Sequence, residues 1–446
     1  TGINITLASV TSTNSPNYGI RLVETNKDGF RTFVVDPDVI NPVPGDGGLI
    51  SNAKGDGLDN DDSAGVFLSN AGQVRLRAMQ LEDNEFGVRI RNTESTPELA
   101  SNIKQSFTLQ TTNVLDSDIR GIDSQNLMGL DIQNSTFDNN GDDATNGRET
   151  MLLDYTVRLD PDTILLFSQA LDPFVVLIQD SDFTSNTTSV INITQSDSAA
   201  NGAAIQTDLY RNTFTVNDTS DPTGTGAFDN GFNFDWNGPV RAHIDSNTFD
   251  MVAAEQGQAI SYRTRSLTDQ VELSIQNNVI NVNNVTLNVG AVDVRIDGPA
   301  LMNTFEFRTA GNVLNIGDGG NTGTVAGGRP TGLRYTLASN TGLALVNNDI
   351  IASGDGGTGI QIARSAASSA FTIDGNRIGL VDFGTSAERG IIFSQVTGVV
   401  QLFGTINNLV VIQQNTLPGN GVVETPFFMP VGSNSGQIIV NGSLVP

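Results

Sequence analysis

The sequence predicts an all-β chain that winds into a right-handed parallel β-helix solenoid with irregular loop excursions. Three observations support this prediction. A six-residue phrase recurs along most of the chain, short apolar stretches alternate with polar residues around it, and neighbouring copies are 22 to 46 residues apart. Repeats at such intervals are typical of solenoids and propellers, and no segment shows long helical periodicity.

The recurring phrase is IDSNTF at 244–249, and its first and sixth places are apolar in every copy. Related copies are LEDNEF, IQNSTF, IQDSDF, LYRNTF, IQNNVI, LVNNDI, IDGNRI and IQQNTL, and the fourth place is Asn in seven of the nine phrases and Ser in two. In an unbroken strand Ile244 and Phe249 would face opposite ways, so the chain must bend between them. Because Asn adopts the left-handed conformation readily, we predict that Asn247 forms this bend. The equivalent Asn residues of stacked coils would then form a ladder.

The spacing of the corners separates the possible repeat folds. The six-residue phrase at the corner recurs, whereas the number of residues between successive corners varies. The extra residues therefore belong to loops elsewhere on each coil. The longest interval, 46 residues, predicts an additional coil within 151–175, where MLLDYTVRL and TILLF resemble strands. Leucine-rich repeats would need an LxxLxL frame, which is absent, and propeller blades would need more hairpin signals than the sequence shows.

We expect a single parallel β-helix over 1–446. Residues 1–43 would form the first coils, residues 44–72 a Gly/Asp-rich loop excursion that leaves the core, and residues 74–446 the main repeat array. The chain starts at Thr1 without a Met or a signal peptide, so we interpret it as a fragment or a processed part of a longer protein.

The composition restricts the possible partners. A net charge of −26 repels the phosphates of nucleic acid, and no apolar run is long enough for a membrane-spanning helix. Cysteine is absent, which excludes disulfides and thiolate metal sites. The acidic balance suits a saline or calcium-containing medium, although solubility alone also explains it.

The repeated phrase, over about 74–446, resembles the pectin-lyase-like β-helix superfamily, which includes polysaccharide lyases, phage tailspikes and autotransporter passenger domains. The Asn/Gly/Thr-rich, Lys-poor and Cys-free composition is most similar to that of bacterial autotransporter passengers and adhesins. The resemblance implies an extracellular or cell-surface location and partners such as surface glycans or other surface proteins. It indicates a fold more strongly than a function.

One neighbourhood, FNFDWNGPVRAHIDSNTF, combines residue types used in acid–base catalysis. It contains Trp236 and His243, the only Trp and the only His of the sequence. If Ile244 and Trp236 point inward, alternation turns Asp235, Arg241 and His243 outward. An acid, a base and a cation could then share an external groove, as glycosidases require. The alternative is a solvated face, because every alternating strand exposes such groups.

Signatures of β-helix enzymes are missing from this neighbourhood and from the rest of the chain. Neither the paired aspartates with a Gly-His-Gly segment of polygalacturonases nor the Trp-Ile-Asp-His segment of pectate lyases is present. A Ser-His-Asp hydrolase would depend on His243 alone, and no nucleophile is evident beside it. The enzyme hypothesis therefore depends on a carboxylate pair on stacked coils, which sequence alone does not locate.

A second candidate site is the acidic string GDGLDNDD at 55–62. Asp56, Asp59, Asp61 and Asp62 offer hard oxygen ligands on a Gly-containing loop, which is what Ca²⁺ requires. The string lacks the full EF-hand spacing and its closing Glu. Calcium binding and a merely solvated acidic loop both remain open from the sequence.

From these observations we expect a non-enzymatic extracellular or cell-surface β-helix that acts as an adhesive or structural scaffold. The alternative is a carbohydrate-active enzyme or glycan-binding protein of the polysaccharide lyase or tailspike type. No cofactor other than Ca²⁺ is indicated.

Overall fold

The computed structural model describes residues 4–25, 32–55, 63–92, 105–141, 149–156, 174–186, 189–195, 204–217, 229–251, 257–265, 271–282, 290–297, 306–317, 330–337, 342–354, 356–365, 369–381, 389–396, 399–403, 409–413, 425–428, 437–440 and 443–444. These residues form 41 strands and no α-helix. The chain falls into two compact units, which we describe separately: Thr1–Thr215 with Asn237–Pro239, and Val216–Trp236 with Val240–Pro446. A single continuous β-helix over 1–446 stays a prediction.

The first unit has three parallel sheets, and each coil adds one strand to each of them. Sheet A contains β1 (Ile5–Leu7), β4 (Thr32–Val35), β7 (Gln73–Arg77), β10 (Ser106–Gln110), β13 (Gly129–Gln133), β16 (Phe174–Gln179) and β19 (Ile205–Tyr210). Sheet B contains β2 (Ser12–Thr13), β5 (Gly48–Ser51), β8 (Met79–Glu82), β11 (Asn113–Leu115), β14 (Thr136–Asp138), β17 (Asp182–Ser185) and β20 (Thr213–Val216). Sheet C contains β3 (Tyr18–Val23), β6 (Ala64–Ser69), β9 (Phe86–Arg91), β12 (Arg120–Gln125), β15 (Met151–Tyr155) and β18 (Ile191–Gln195).

The second unit repeats the same three-sheet plan. Sheet A contains β22 (Val240–Asp245), β25 (Val271–Gln276), β28 (Glu306–Ala310), β31 (Gly342–Val346), β34 (Ser369–Asp374), β37 (Val399–Phe403), β40 (Gln437–Val440) and the antiparallel β41 (Ser443–Leu444). Sheet B contains β23 (Thr248–Met251), β26 (Val279–Val282), β29 (Val313–Gly317), β32 (Asp349–Ser353), β35 (Arg377–Val381) and β38 (Leu409–Gln413). Sheet C contains β21 (Asp229–Trp236), β24 (Gly257–Thr264), β27 (Gly290–Ile296), β30 (Thr331–Leu337), β33 (Thr358–Ser365), β36 (Arg389–Val396) and β39 (Thr425–Phe428).

The pairing confirms the predicted fold class, a right-handed parallel β-helix solenoid. Within each unit, apart from the antiparallel pair of β40 and β41, strands pair in parallel with the strand three positions later in the chain, as β7 pairs with β10 and β10 with β13. Residues that alternate along each strand therefore line up in columns, with every second residue facing the interior. Ile244 and Phe249 are both fully buried, as the phrase predicts. In sheet B the rings of Phe137 and Phe183 stack with their centroids 4.8 Å apart.

The corner between sheets A and B differs from the prediction by one residue. The left-handed residue is the third of the phrase, with φ of 60° at Ser246 and 55° at Asn277, and not the fourth. Asn247 lies outside any strand but is buried, so the prediction that it takes the left-handed conformation was wrong. The physical reason is that the third residue, which takes the left-handed conformation, turns its side chain outward. The side chain of the fourth residue then points inward, where it can form hydrogen bonds with the backbone of the corner.

The predicted Asn ladder is confirmed at this corner. Within the second unit, backbone N–H groups of Asn247, Asn278, Asn312 and Asn348 each donate to the side-chain oxygen of the Asn one coil later, at 2.9 to 3.2 Å. Ser135 and Ser181 take the same place in the first unit, since Ser135 N donates to Ser181 Oγ at 3.1 Å. The ladder links consecutive corners through buried polar bonds.

Three boundary predictions need correction. The stretch 44–72 does not leave the core as a whole, because β5 and β6 lie within it and pair with β8 and β9. Among the described residues of the 46-residue interval no additional coil lies between β13 and β16, because these two strands pair directly, and TILLF lies outside the described residues. The copy LEDNEF marks the corner between sheets B and C, where Asn84 Oδ1 accepts from Ala53 N at 2.9 Å. The same phrase thus serves two corners, because both need a reversal followed by a buried polar side chain.

Candidate functional site

The structure places the three catalytic candidates on two different sheets. Asp235 lies on β21 of sheet C, whereas Arg241 and His243 lie on β22 of sheet A. The predicted orientations are confirmed, because all three side chains are partly exposed while Trp236 is buried. Each of them contacts charged side chains of the following coil, and these contacts differ between the two sheets.

Asp235 is held by two arginines from the next coil of sheet C. Its Oδ2 accepts a charge-assisted hydrogen bond from Nη2 of Arg265, and Nη1 of Arg263 lies 3.9 Å from the same oxygen. Asp235 and Arg263 are direct register partners of β21 and β24. The stacking of coils therefore brings these opposite charges together.

Arg241 and His243 share the carboxylate of Glu272, a residue that the sequence did not identify. Arg241 Nε donates to Glu272 Oε2 at 2.9 Å, and His243 Nε2 lies 3.4 Å from Oε1. Arg241 and Glu272 are register partners of β22 and β25. Ser274 is the register partner of His243, but its Oγ accepts a hydrogen bond from Gln276. The group therefore combines a cation and an imidazole around one carboxylate.

The contact at Asp235 belongs to a larger group of charges on the outer face of sheet C. We name this group the second-unit charge network: Asp235, Arg263, Arg265, Asp293, Arg295, Asp297 and Arg334. Arg263 Nη2 and Arg295 Nε each lie 2.7 Å from a carboxylate oxygen of Asp297. Arg334 Nη1 lies 3.2 Å from Asp293 Oδ2. The network has one positive charge in excess, on a chain whose net charge is −26.

Asp293 on β27 and Asp297 directly after it have opposite pKa shifts. Burial raises the pKa of the Asp293 carboxyl, despite the neighbouring Arg334. Burial also opposes ionisation of Asp297, but hydrogen bonds from Arg295 and Arg263 outweigh it and lower the pKa of that carboxyl. Asp297 is therefore a stable anion at neutral pH and a weak base.

The first unit has a matching group on the same sheet, the first-unit charge network of Arg89, Arg91, Arg120, Asp123 and Glu149. Three arginines converge on the buried Asp123: Arg91 Nη2 lies 2.5 Å from Oδ2, Arg89 Nε lies 3.8 Å from Oδ2, and Arg120 Nη1 lies 3.9 Å from Oδ1. Arg120 also lies 2.9 Å from Glu149. Carboxylates therefore hold guanidinium groups in place in both networks, but those of the first unit are largely buried.

A second sequence pattern, separate from the repeated phrase, places two of these arginines, Arg89 and Arg334. Several sheet C strands begin with a glycine followed by two apolar residues that flank one polar residue, as in FGVRI at 86–90 and TGLRY at 331–335. The flanked residue faces outward and is Arg89 or Arg334. A side chain at Gly87 would place its Cβ 2.6 Å from Gly121 O. Glycine therefore allows this strand to lie close to the backbone of the next coil at this position.

The calcium candidates Asp56, Asp59, Asp61 and Asp62 lie outside the described residues, so calcium binding stays a prediction. Within the described ranges, no group of three or more His, Asp or Glu side chains is placed to hold a metal ion.

Comparison of the chain with family models, curated proteins and solved structures finds no match. Among the residues that the structure describes, no helix has the length and apolar character needed to cross a membrane.

Proposed function

We propose that this chain is a non-enzymatic β-helical scaffold that acts outside the cell or at a cell surface. Its ligand-binding surface would be the outer face of sheet C, and its partners would be acidic surface glycans or acidic surface proteins. The observation that carries the proposal is the pair of charge networks, which concentrate arginines on one sheet of a strongly acidic chain.

The geometry of the second-unit charge network suits an extended anionic ligand. The side chains of Arg263, Arg265 and Arg295 are 36%, 39% and 48% exposed. They come from neighbouring coils, which are about 4.8 Å apart in a β-sheet. Guanidinium groups recognise carboxylates and sulfates through paired hydrogen bonds, and the aspartates keep these groups in fixed positions before binding.

The same contacts favour binding over catalysis. A general acid or base works best when its pKa lies near the operating pH, but Asp297 is held as an anion by two arginines. Asp235 is likewise ion-paired, and it lies on a different sheet from Arg241 and His243. A catalytic role for these groups would require ligand binding to break the existing ion pairs.

Immobilised acidic polysaccharides provide the test, with neutral polysaccharides as the reference. We expect wild-type protein to bind the acidic polymers, and Arg263→Gln/Arg295→Gln to bind them more than about tenfold more weakly, because two charge-assisted contacts are lost. The matched control is Arg75→Gln/Arg308→Gln, which removes two exposed arginines from sheet A.

The control should retain wild-type affinity. Equal losses in both double variants would indicate unspecific charge attraction, and equal binding of neutral polymers would contradict the proposed ligand class.

The alternative function is a carbohydrate-active enzyme, and the group of Arg241, His243 and Glu272 favours it. This group places an imidazole 3.4 Å from a carboxylate oxygen on an exposed sheet surface. A cleavage assay separates this alternative from the scaffold.

A further inference from the structure

The arginines of the second-unit charge network follow one oblique line across sheet C. Arg263 on β24 and Arg295 on β27 are register partners, so they lie side by side on neighbouring strands. Arg265 lies two residues after Arg263 and therefore faces the same way. Arg334 on β30 is the register partner of Asp293, which places it one strand beyond Arg295 and two residues back. The order along the line is Arg265, Arg263, Arg295 and Arg334.

Neither of the two regular directions of the sheet connects all four arginines. Straight across the coils, the column of Arg263 and Arg295 continues to Asp235 on one side and to Thr336 on the other. Along β24, the outward side chain before Arg263 is Ser261. A ligand that ran straight along or straight across the strands would therefore contact at most two of these arginines.

Carboxylates border the oblique line on both sides. Asp235 lies beside Arg263 on the preceding strand, and Asp293 lies on the same side, two residues before Arg295. Asp297 lies on the other side, two residues after Arg295. These carboxylates hold the guanidinium groups in place, and they repel an anionic chain that leaves the line.

The line is long enough for several acidic groups. From Arg265 to Arg334 it covers two strand spacings of about 4.8 Å and four residues of about 3.3 Å each, so its diagonal is about 16 Å. Arg334 is the least exposed of the four arginines, at 25%. A glycan with a single acidic sugar at its end is able to pair with only one or two of them, whereas a linear chain with an acidic group on successive residues pairs with them all.

The uncharged side chains beside the line carry hydroxyl and amide groups. Ser261, Thr336 and Gln361 are register partners of residues in the network, and all three are partly exposed. Hydroxyl and amide groups both donate and accept hydrogen bonds. Because a sugar residue presents several hydroxyl groups beside its acidic group, these side chains favour a glycan over an acidic peptide.

We propose that the ligand of this face is a linear polyanionic glycan with an acidic group on successive residues, and that it lies obliquely across β24, β27 and β30. Arg265 and Arg334 contact its two ends, and Arg263 and Arg295 contact its middle. This inference rests on the proposed function and restricts its ligand class to chains that carry charge along their length.

Calorimetric titration of the full chain with oligouronates from the dimer to the octamer tests the length of the path. Affinity should rise by more than about tenfold from the dimer to the hexamer, because the longer chain reaches more arginines at once, and should then level off. An oligosaccharide with one terminal sialic acid and an oligoglutamate with the charge of the hexamer are the references. Both should bind more than about tenfold more weakly than the hexamer.

Single substitutions test the two ends. Arg265→Gln and Arg334→Gln should each weaken binding of the hexamer by about five- to tenfold, because one charge-assisted contact is lost. Each should change binding of the dimer by less than about twofold, because the dimer still reaches Arg263 and Arg295. Arg308→Gln, on the exposed face of sheet A, is the matched control and should bind the hexamer like the wild type. Unchanged circular dichroism would show that each variant is folded.

The outcomes separate the path from the function. Hexamer binding that is weakened by Arg263→Gln/Arg295→Gln, but not by Arg265→Gln or Arg334→Gln, would overturn the oblique path and leave the proposed function intact. Affinity that is the same from the dimer to the octamer, or equal for the hexamer and either reference, would also overturn the inference. A wild type that does not bind the hexamer would overturn both the inference and the proposed function.

Discussion

At the scale of single residues, the Asn of the corner is the most constrained polar group of the coil. The amide of Asn278 uses all of its hydrogen-bonding capacity inside the protein. Its Oδ1 accepts from the backbone and the side chain of Asn247 at 2.9 and 3.1 Å, and its Nδ2 donates to Ile244 O and Asn312 Oδ1 at 2.9 Å. These hydrogen bonds offset the cost of the left-handed conformation of Asn277, the preceding residue, which is about 1–2 kcal/mol.

Replacement of this amide should therefore be costly. We expect Asn278→Ala to lower the free energy of unfolding by about 2–4 kcal/mol, because Asn247 N and Ile244 O would each lose a buried hydrogen bond. The control is Asn315→Ala on the exposed face of sheet B, which should change it by less than about 0.5 kcal/mol. Chemical denaturation of both variants provides the measurement, and equal effects would show that the ladder does not stabilise the corner.

Asp297 should make the stability depend on pH. Although burial opposes its ionisation, Arg295 and Arg263 lower its pKa in the folded state. Its contribution is therefore present above the unfolded-state pKa of about 3.9 and is lost as the pH falls through the lower folded-state pKa. Between about pH 6 and about pH 3, the wild type should lose more unfolding free energy than Asp297→Asn does. The same loss in both proteins would contradict this assignment.

At the scale of elements, the glycines of two strands in the second unit have very different amounts of free space. A Cβ on Gly359 would lie 2.8 Å from Gly390 O and 2.5 Å from Ile378 Cγ2, so neither the backbone of the next coil nor the core leaves room for a methyl group. By contrast, a Cβ on Gly379 in sheet B would have its nearest neighbour at 3.8 Å. Both glycines lie in strands of the second unit, which makes them a matched pair.

Gly359→Ala should lower the free energy of unfolding by about 1–3 kcal/mol, because the added methyl group forces neighbouring coils apart. Gly379→Ala should be close to neutral. Thermal and chemical unfolding of the two variants would test this difference, and a neutral effect at Gly359 would show that the coils can separate without cost.

The fold was predictable from the sequence because the core and the corner both leave periodic signals. Alternating apolar residues mark the strands, and the repeated Asn or Ser marks the buried corner position. The charge networks were not predictable, because the intervals between corners vary and the register of one coil on the next is then undetermined. Glu272 pairs with Arg241 because β25 lies one coil after β22 and in register with it, and the varying intervals do not reveal this register.

At the scale of the whole molecule, the distribution of charge is the feature most relevant to function. The chain has 49 acidic and 23 basic residues. Sheet C of each unit nevertheless has a group of arginines held by carboxylates of adjacent strands. Under the proposed function, the acidic surface would disfavour contact with anions elsewhere, and anionic ligands would bind to the arginines of sheet C.

Incubation of the wild-type protein with acidic polysaccharides, followed by measurement of reducing ends and unsaturated products, tests the scaffold proposal most directly. Glu272→Gln and His243→Ala serve as controls, because both residues belong to the group that favours an enzyme. The proposal predicts that the wild type binds the polymer and releases no product above the buffer blank. Turnover by the wild type that is lost in both variants would contradict it and would identify the protein as an enzyme.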